Sequence, residues 1–162
     1  MEKTRVFFDG HGGTISTYGW VIQKDKGIYF RGCGEIPHKK EELITNNVAE
    51  YMALISALEA AKKFGLCGPL EFIGDSKLII LQMTKEYTTR SKRLKPLYQQ
   101  AAELASQFKE IHFRRIFEFQ NKEAHAMCLE AEQQSKAQKR LFNLKSLISW
   151  GSSATGHRSF AG

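Results

Sequence analysis

Three acidic side chains stand in apolar surroundings rather than in charged runs, and each lies at the predicted end of a secondary-structure element. Asp9 ends an apolar strand in FFDGHGG, and Glu50 lies in the first turn of a helix in TNNVAEYMAL. Asp75 lies where a strand meets a helix in EFIGDSKLII. Ligand sites in open sheets form where strand ends and helix starts converge. The spacing therefore predicts that the three carboxylates share one site.

Each acid also has a purely structural explanation. The Asp-Gly pair that begins at Asp9 is typical of a simple turn. Asn47 and Glu50 have capping-box spacing, with Asn47 as the N-cap of the helix. Asp75 is placed to cap the helix that follows it. These explanations are adequate one at a time, but they do not account for three acids at three converging ends.

A shared carboxylate site predicts a bound cation, because grouped carboxylates repel one another without one. Oxygen ligands without cysteine or paired histidines favour Mg²⁺ or Mn²⁺ over zinc. The chain has a formal net charge of +7 and a pI near 9.4, which favours a polyanionic partner, most often nucleic acid. An acidic pocket in a basic protein predicts metal-assisted chemistry on a phosphodiester.

Length and composition bound the remaining possibilities. A chain of 162 residues suffices for one domain with a sizeable core and is short for two. No apolar run approaches the roughly 18 residues that span a bilayer, and the N-terminus lacks the pattern of a secretory signal. Cys33, Cys67 and Cys128 are widely spaced and odd in number, unlike a disulfide framework or a zinc site. We therefore expect a cytoplasmic protein, in a reducing compartment, with no membrane partner.

The hydrophobic pattern predicts the element order β-β-β-α-β-α-α-β-α. Strands in a meander, followed by strands that alternate with helices, imply a mixed sheet covered by helices. The predicted strands cover residues 5–9, 19–23, 27–36, 70–76 and 111–119, and the predicted helices cover 48–64, 76–87, 95–108 and 121–140.

Four blocks, in chain order, resemble the type 1 ribonuclease H family: FFDG, TNNVAEYMAL, EFIGDSKLII and NKEAHAM. The element order resembles that family too, and the resemblance covers residues 4–135. It implies an α/β ribonuclease H-like fold with a five-stranded mixed sheet, three antiparallel strands and then two parallel ones, flanked by helices. Members cleave the RNA strand of RNA/DNA hybrids with two Mg²⁺ or Mn²⁺ ions and leave 3′-hydroxyl and 5′-phosphate ends. Carried over by position, Asp9, Glu50 and Asp75 match three metal ligands.

The resemblance also implies where the hybrid binds. Gly10 and the block Thr45, Asn46 and Asn47 match positions that approach the hybrid backbone and minor groove, where asparagine can read base edges and 2′-hydroxyls. The chain has no room for the basic protrusion of some members. Three basic residues of this chain are predicted to contact phosphates instead. The alternative is that they form a solvated start of the following helix. These residues are Lys92, Arg93 and Lys95.

Two positions depart from the family pattern. The late block usually ends in aspartate, the fourth metal ligand, where this chain has His125. Alone, a histidine among apolar neighbours is usually structural. Here it is interpreted as a metal ligand that favours Mn²⁺ over Mg²⁺, or as a proton carrier. Glu118 stands where the family often has a cation, with Arg115 or His112 as loosely aligned substitutes. Glu118 and Asn121 are therefore auxiliary candidates.

The resemblance to the family also implies a domain organisation. Residues 1–140 are predicted to form a ribonuclease H-like catalytic domain, and 141–162 a C-terminal extension that is partly helical and then a flexible tail. The apolar stripe of the extension could pack on the domain, pair with another copy or contact a partner. We expect a monomer.

Three functions remain open. The leading hypothesis is a metal-dependent endoribonuclease that acts on RNA/DNA hybrids. The alternatives are a hybrid-binding module with weak or no turnover and a related nuclease that acts on DNA. The TNN block argues against the DNA enzyme, since it resembles the hybrid-cleaving group.

Overall fold

The computed structural model describes residues 3–25, 27–39 and 42–153, and these contain a five-stranded mixed sheet in the order β3-β2-β1-β4-β5. β1 pairs antiparallel with β2, as β2 does with β3, whereas the β1–β4 and β4–β5 pairs are parallel. The predicted fold class is therefore confirmed. The strands are β1 (Thr4–His11), β2 (Thr17–Lys24), β3 (Gly27–Glu35), β4 (Leu70–Gly74) and β5 (Ile111–Arg115).

Helices and a short 3₁₀ turn complete the described part of the chain. The longest helix of the core, α1, packs against β1 and β2 and contacts α3. Alanine and leucine recur on all its faces, so Ala53, Leu54 and Leu58 are fully buried. The helices are α1 (Asn46–Lys63), α2 (Lys77–Met83), α3 (Lys95–Ser106) and α4 (Lys122–Ser153), and the 3₁₀ turn covers Glu118–Gln120.

The topology brings the ends of the central strands to one edge of the sheet. β1 and β4 run parallel with Phe7 opposite Ile73, and continuing this register by two residues sets Asp9 level with Asp75. Side chains alternate along a strand, so Phe8 enters the core while Asp9 faces the other way. The carboxyl ends of parallel strands therefore form the floor of a site, as open sheets generally do.

A glycine lets the start of α4 approach the sheet beside that floor. Gly19 on β2 lies directly opposite Asp9 on β1. A Cβ built on Gly19 would lie 2.6 Å from Met127 Cβ and 2.7 Å from the carbonyl oxygen of Ala124. Only a residue without a side chain allows this contact, which places the first turns of α4 against the strand next to the one that carries Asp9.

Several predicted boundaries shift in the structure. Thr45, not Asn47, is the N-cap of α1, and its side chain accepts a hydrogen bond from the Val48 N–H. The capping box of Asn47 and Glu50 is therefore wrong. Asp75 is not a cap either, because Ser76 takes that position for α2.

The predicted strand over residues 111–119 is too long. β5 ends at Arg115 because β4, its only pairing partner in the described sheet, ends at Gly74. The chain then turns, and Phe117 and Phe119 are 60% and 69% exposed. The apolar alternation that favoured a strand continued past the point where a partner existed.

α4 continues as far as Ser153, and it therefore includes the apolar stripe that begins at Leu141. The helix also includes Gly151–Ser153, which the sequence pattern places in the tail, and the rest of that predicted tail lies outside the described residues. The chain divides into two units, residues 1–132 and 133–162. The functional boundary at residue 140 stays a prediction.

The length and apolarity of a helix decide whether it can cross a bilayer. In the described ranges, no helix combines the length and the apolarity that a bilayer crossing requires.

Candidate active site

Three carboxylates from three elements meet at the edge formed by the ends of β1 and β4. Asp9 comes from β1, Glu50 from the second turn of α1, and Asp75 from the residue after β4. One oxygen of each lies within 4.8 Å of the others. Asp9 and Glu50 are buried, while Asp75 is half-buried. The structure therefore brings the three predicted acids together.

Crowding perturbs two of the three acids in the direction expected for like charges. Burial, with the negative charges of Asp9 and Asp75, raises the pKa of Glu50 well above its usual range. Burial and the Asp9 charge also raise the pKa of Asp75. Both carboxylates are thus penalised in their ionised form when no cation is present.

Asp9 behaves in the opposite way because donors surround it. Burial alone would raise the pKa of Asp9, but hydrogen bonds and charge from His11 and His125 lower it. His11 Nε2 lies 3.2 Å and His125 Nδ1 3.1 Å from Asp9 Oδ2, and the Gly10 N–H donates to Oδ1 over 2.9 Å. Asp9 is therefore held ionised and oriented.

Sequence reasoning missed His11. Its hydrogen bond to Asp9 raises the pKa of His11, against an opposing effect of burial, and the charges of Asp75 and Glu118 raise it further. A signal was available, because residues two apart on a strand share a face and His11 stands two residues after Asp9.

His125 lies against Asp9 rather than within the three-carboxylate cluster. Its ring meets the His11 ring edge-on, with centroids 4.6 Å apart. It is a half-buried side chain at the start of α4, not a core histidine. The same turn is fixed to β1 by Cys128, whose thiol donates to the Asp9 carbonyl oxygen over 3.2 Å. Direct metal ligation by His125 stays a prediction.

The donor set fits a hard divalent cation. Oε2 of Glu50 is buried and accepts no hydrogen bond. The ionised carboxylates of Asp9 and Asp75, each with an oxygen within 4.8 Å of one oxygen of Glu50, offer no donor. An unsatisfied buried carboxylate oxygen is costly unless a cation approaches it. Asp9, Glu50 and Asp75 would therefore be the residues that hold Mg²⁺ or Mn²⁺.

The predicted hybrid-contacting residues lie next to this cluster. Asn46 lines the same cavity as the acids, and its Oδ1 accepts the Gly12 N–H over 3.0 Å, which leaves its NH₂ group for another partner. Gly10 has a structural reason as well, since a Cβ there would lie 2.2 Å from the Ala49 carbonyl oxygen. Thr45 has the capping role described above.

Part of the predicted phosphate-binding segment lines a neighbouring groove. Thr45, Asn47 and Arg93 line it together with Arg90, which the sequence analysis did not single out. Arg93 also donates to the Leu43 carbonyl oxygen. The other two basic candidates lie apart from this groove: Lys92 is exposed, and Lys95 lines a separate cavity beside α3.

The auxiliary candidates have different positions. Glu118 lines the acid cavity together with Arg115, whose Nε donates to the Asp75 carbonyl oxygen over 3.3 Å. Arg115 is therefore the cation at the rim, whereas His112 lies early on β5 and bonds Glu110. Asn121 is buried, and its Nδ2 donates to the Phe8 carbonyl oxygen over 2.9 Å, so it anchors α4 to β1.

The sequence of this chain is similar to those of known proteins. A family model described as reverse transcriptase-like matches residues 7–131. Ribonuclease HI of Halobacterium salinarum is 37% identical over 134 residues, which are 80% of this chain and 64% of that relative. The chain therefore spans somewhat less than two thirds of the length of this curated relative.

Solved structures agree in fold. RNase H1 from Halobacterium salinarum has a TM-score of 0.74 at 33% identity, covering 82% of this chain and 98% of that one. LC11-RNase H1, isolated from compost and solved in complex with an RNA/DNA hybrid, has a TM-score of 0.73 at 28% identity, with 82% and 98% covered. With its matched residues, its strand order and its converging acids, the chain belongs to the type 1 ribonuclease H family.

Proposed function

We propose that this chain is a metal-dependent endoribonuclease that cleaves the RNA strand of RNA/DNA hybrids and leaves 3′-hydroxyl and 5′-phosphate ends. The observation that carries the proposal is the cluster of Asp9, Glu50 and Asp75, with an unsatisfied oxygen on Glu50. The similarity to a ribonuclease HI and to a structure solved with a hybrid supports this choice of substrate.

The three acids would hold two divalent ions, Mg²⁺ or Mn²⁺. When bound, such a pair supplies an activated water and stabilises the leaving oxygen of a phosphodiester. The chain's own contribution is to orient the acids. His11, His125 and the Gly10 N–H keep the Asp9 carboxylate ionised and fixed in one rotamer.

Substrate selection would come from groups beside the acids. The Asn46 amide is oriented by the Gly12 N–H and would hydrogen-bond 2′-hydroxyls or base edges in a minor groove. Arg90 and Arg93 in the adjacent groove would bind phosphates of the second strand. A requirement for 2′-hydroxyls on one strand distinguishes a hybrid from duplex DNA.

The assay that tests the proposal compares labelled RNA/DNA hybrid, duplex DNA and duplex RNA, each with Mg²⁺ or Mn²⁺. We expect cleavage of the hybrid alone. Asp9→Asn and Asp75→Asn should lower the rate by about 10²–10³-fold or more, because each removes several kcal/mol of transition-state stabilisation. Glu71→Gln is the matched control, since Glu71 lies on β4 and pairs with Lys3 and Arg114 outside the cluster.

Two outcomes of this assay would replace the proposal. Hybrid binding without cleavage in either metal would leave a hybrid-binding module, which the departures at His125 and Glu118 would then explain. Cleavage of duplex DNA would assign a related DNA nuclease. As part of the same proposal, the protein acts in the cytoplasm as a monomer.

A further inference from the structure

Two phenylalanines after β5 present their rings to solvent beside the acid cluster. Phe117 and Phe119 are 60% and 69% exposed. Their rings stack with centroids 5.7 Å apart and an angle of 7° between the planes. We call these two residues the aromatic pair. Two adjacent exposed rings form a contiguous apolar surface, and such surfaces are candidates for ligand binding.

Two hydrogen bonds order the turn that carries the aromatic pair. The Phe117 N–H donates to Gln120 Oε1 over 2.9 Å, and the Gln120 N–H donates to the Phe117 carbonyl oxygen over 2.9 Å. These two bonds close the 3₁₀ turn. The pair therefore lies on a hydrogen-bonded turn between β5 and α4.

The aromatic pair is continuous with the candidate active site. Phe117 lines the same cavity as Asp9, Glu50 and Asp75. The Arg115 guanidinium lies 5.8 Å from the Phe117 ring centroid, and its Nε bonds the Asp75 carbonyl oxygen. One arginine thus connects the aromatic surface to the loop that carries a metal-binding acid.

The chemistry of this surface favours a nucleobase over a phosphate. Arg115 is the cation beside Phe117, but its Nε is bonded to the Asp75 carbonyl oxygen. Glu118 lies between the two phenylalanines in sequence, so its negative charge opposes the attraction of Arg115 for a phosphate. A base has an uncharged π-face, and every base stacks on an aromatic side chain. Inside a duplex the adjacent base pairs stack on both faces of each base, so an unpaired nucleotide is the natural ligand.

We propose that the aromatic pair is a subsite for an unpaired nucleotide of the substrate's RNA strand, where the hybrid meets a single-stranded extension. This inference rests on the proposed function, since it takes the hybrid to occupy the acid site. It makes the chain selective for hybrids with a single-stranded RNA extension over blunt hybrids. The departure from the family at Glu118 belongs to the same turn.

The test measures binding without turnover. Blunt RNA/DNA hybrids and hybrids with a 5′ or 3′ single-stranded RNA extension are titrated with protein in chelator, and 2-aminopurine in the extension reports stacking. We expect at least one extended hybrid to bind about tenfold more tightly than the blunt one, with quenched fluorescence. The ratio of the two Kd values is the readout, so each variant carries its own reference.

Three double variants distinguish stacking on an aromatic ring from contact with any apolar side chain. Phe117→Ala with Phe119→Ala should bring the Kd ratio to about one and remove the quenching. The paired leucine substitutions should do the same, whereas the paired tyrosine substitutions should keep both effects. Tyr29→Ala on β3 removes another exposed ring and should leave the ratio unchanged.

Equal Kd values for blunt and extended hybrids in the unaltered protein would overturn the proposal, as would a ratio that survives in the alanine or leucine variants. Cleavage of blunt hybrid with Mg²⁺ or Mn²⁺ is measured separately. Failure of the proposed function appears there, and failure of the aromatic subsite appears in the chelator titration.

Discussion

At the scale of single residues, the site is asymmetric. Asp9 is held ionised by three donors, whereas Glu50 sits among acceptors with one oxygen unsatisfied. The folded chain is therefore destabilised by the Glu50 carboxylate, which has a buried oxygen without a hydrogen-bond donor. Such a cost at a buried polar group is typical of a functional site rather than of a structural one.

Glu50→Gln tests this cost. Because the pKa of Glu50 is raised in the folded state, its penalty is absent below the ordinary value near 4.5, grows as pH rises from that value toward the raised pKa, and is complete above it. The amide removes the penalty and can donate to its neighbours. We expect the metal-free variant to gain about 1–3 kcal/mol in free energy of unfolding at neutral pH and almost nothing at acidic pH.

Urea unfolding in chelator at the two pH values measures the effect. Glu59→Gln changes an exposed acid on the same helix and should alter stability little at either pH. A Glu50→Gln protein that is less stable than its parent at neutral pH would contradict the account of the site.

His125→Asp tests the metal preference. If His125 ligates an ion, imidazole favours Mn²⁺, and a carboxylate restores a harder set of oxygen donors. We expect the ratio of hybrid cleavage rates in Mn²⁺ and Mg²⁺ to fall in the variant. An unchanged ratio with altered activity would leave His125 as a positioning residue for Asp9 or a proton carrier, in agreement with its 3.1 Å contact.

At the scale of elements, close approach of backbone to backbone assembles the site. β1 meets α1 at Gly10, and β2 meets α4 at Gly19. The first contact sets Glu50 beside Asp9, and the second sets His125 beside it. Both contacts depend on a missing side chain, so each glycine acts on the site through packing.

Gly19→Ala should therefore disturb both stability and the site. The added Cβ would lie under 3 Å from atoms of Ala124, Met127 and Cys128, so α4 must move. We expect a loss of about 1–3 kcal/mol in free energy of unfolding and slower hybrid cleavage. Gly27→Ala is the matched control, because a Cβ there meets nothing within 4 Å, and chemical denaturation with the cleavage assay separates the two.

At the scale of the whole molecule, a basic protein carries an acidic centre. The net charge is +7, while the acids are gathered at one edge of the sheet. The overall charge attracts a polyanion with or without metal, whereas direct contact of its phosphates with the three acids requires bridging cations. This arrangement explains why affinity and metal dependence should be separable in experiments.

The salt dependence of hybrid binding measures how many phosphates the protein neutralises. Removal of one basic side chain that binds a phosphate should reduce the slope of log K against log salt by about one. We expect this for Lys92→Gln, which removes an exposed charge of the predicted basic segment. Lys62→Gln, at the far end of α1, should leave the slope unchanged, and equal slopes for both variants would remove Lys92 from the binding surface.

Much of this architecture was predictable from local pattern. The strand meander, the buried α1 and the three acids at element ends follow from apolar periodicity and from residues that interrupt it. The errors fell where pattern gives no information about partners. Apolar alternation continued through Phe117 and Phe119 although β4 offered nothing to pair with, and Asn47 had cap spacing although Thr45 took the cap.

The sequence by itself determined the family, the order of elements and the identity of the three clustered acids, because these depend on residue type and spacing along the chain. Only the tertiary structure decided that His11 and His125 both bond Asp9, that Glu50 retains an unsatisfied oxygen, and that the aromatic pair borders the same cavity. The reason is physical: hydrogen bonds, burial and charge coupling depend on distances between residues far apart in the chain, and packing sets those distances.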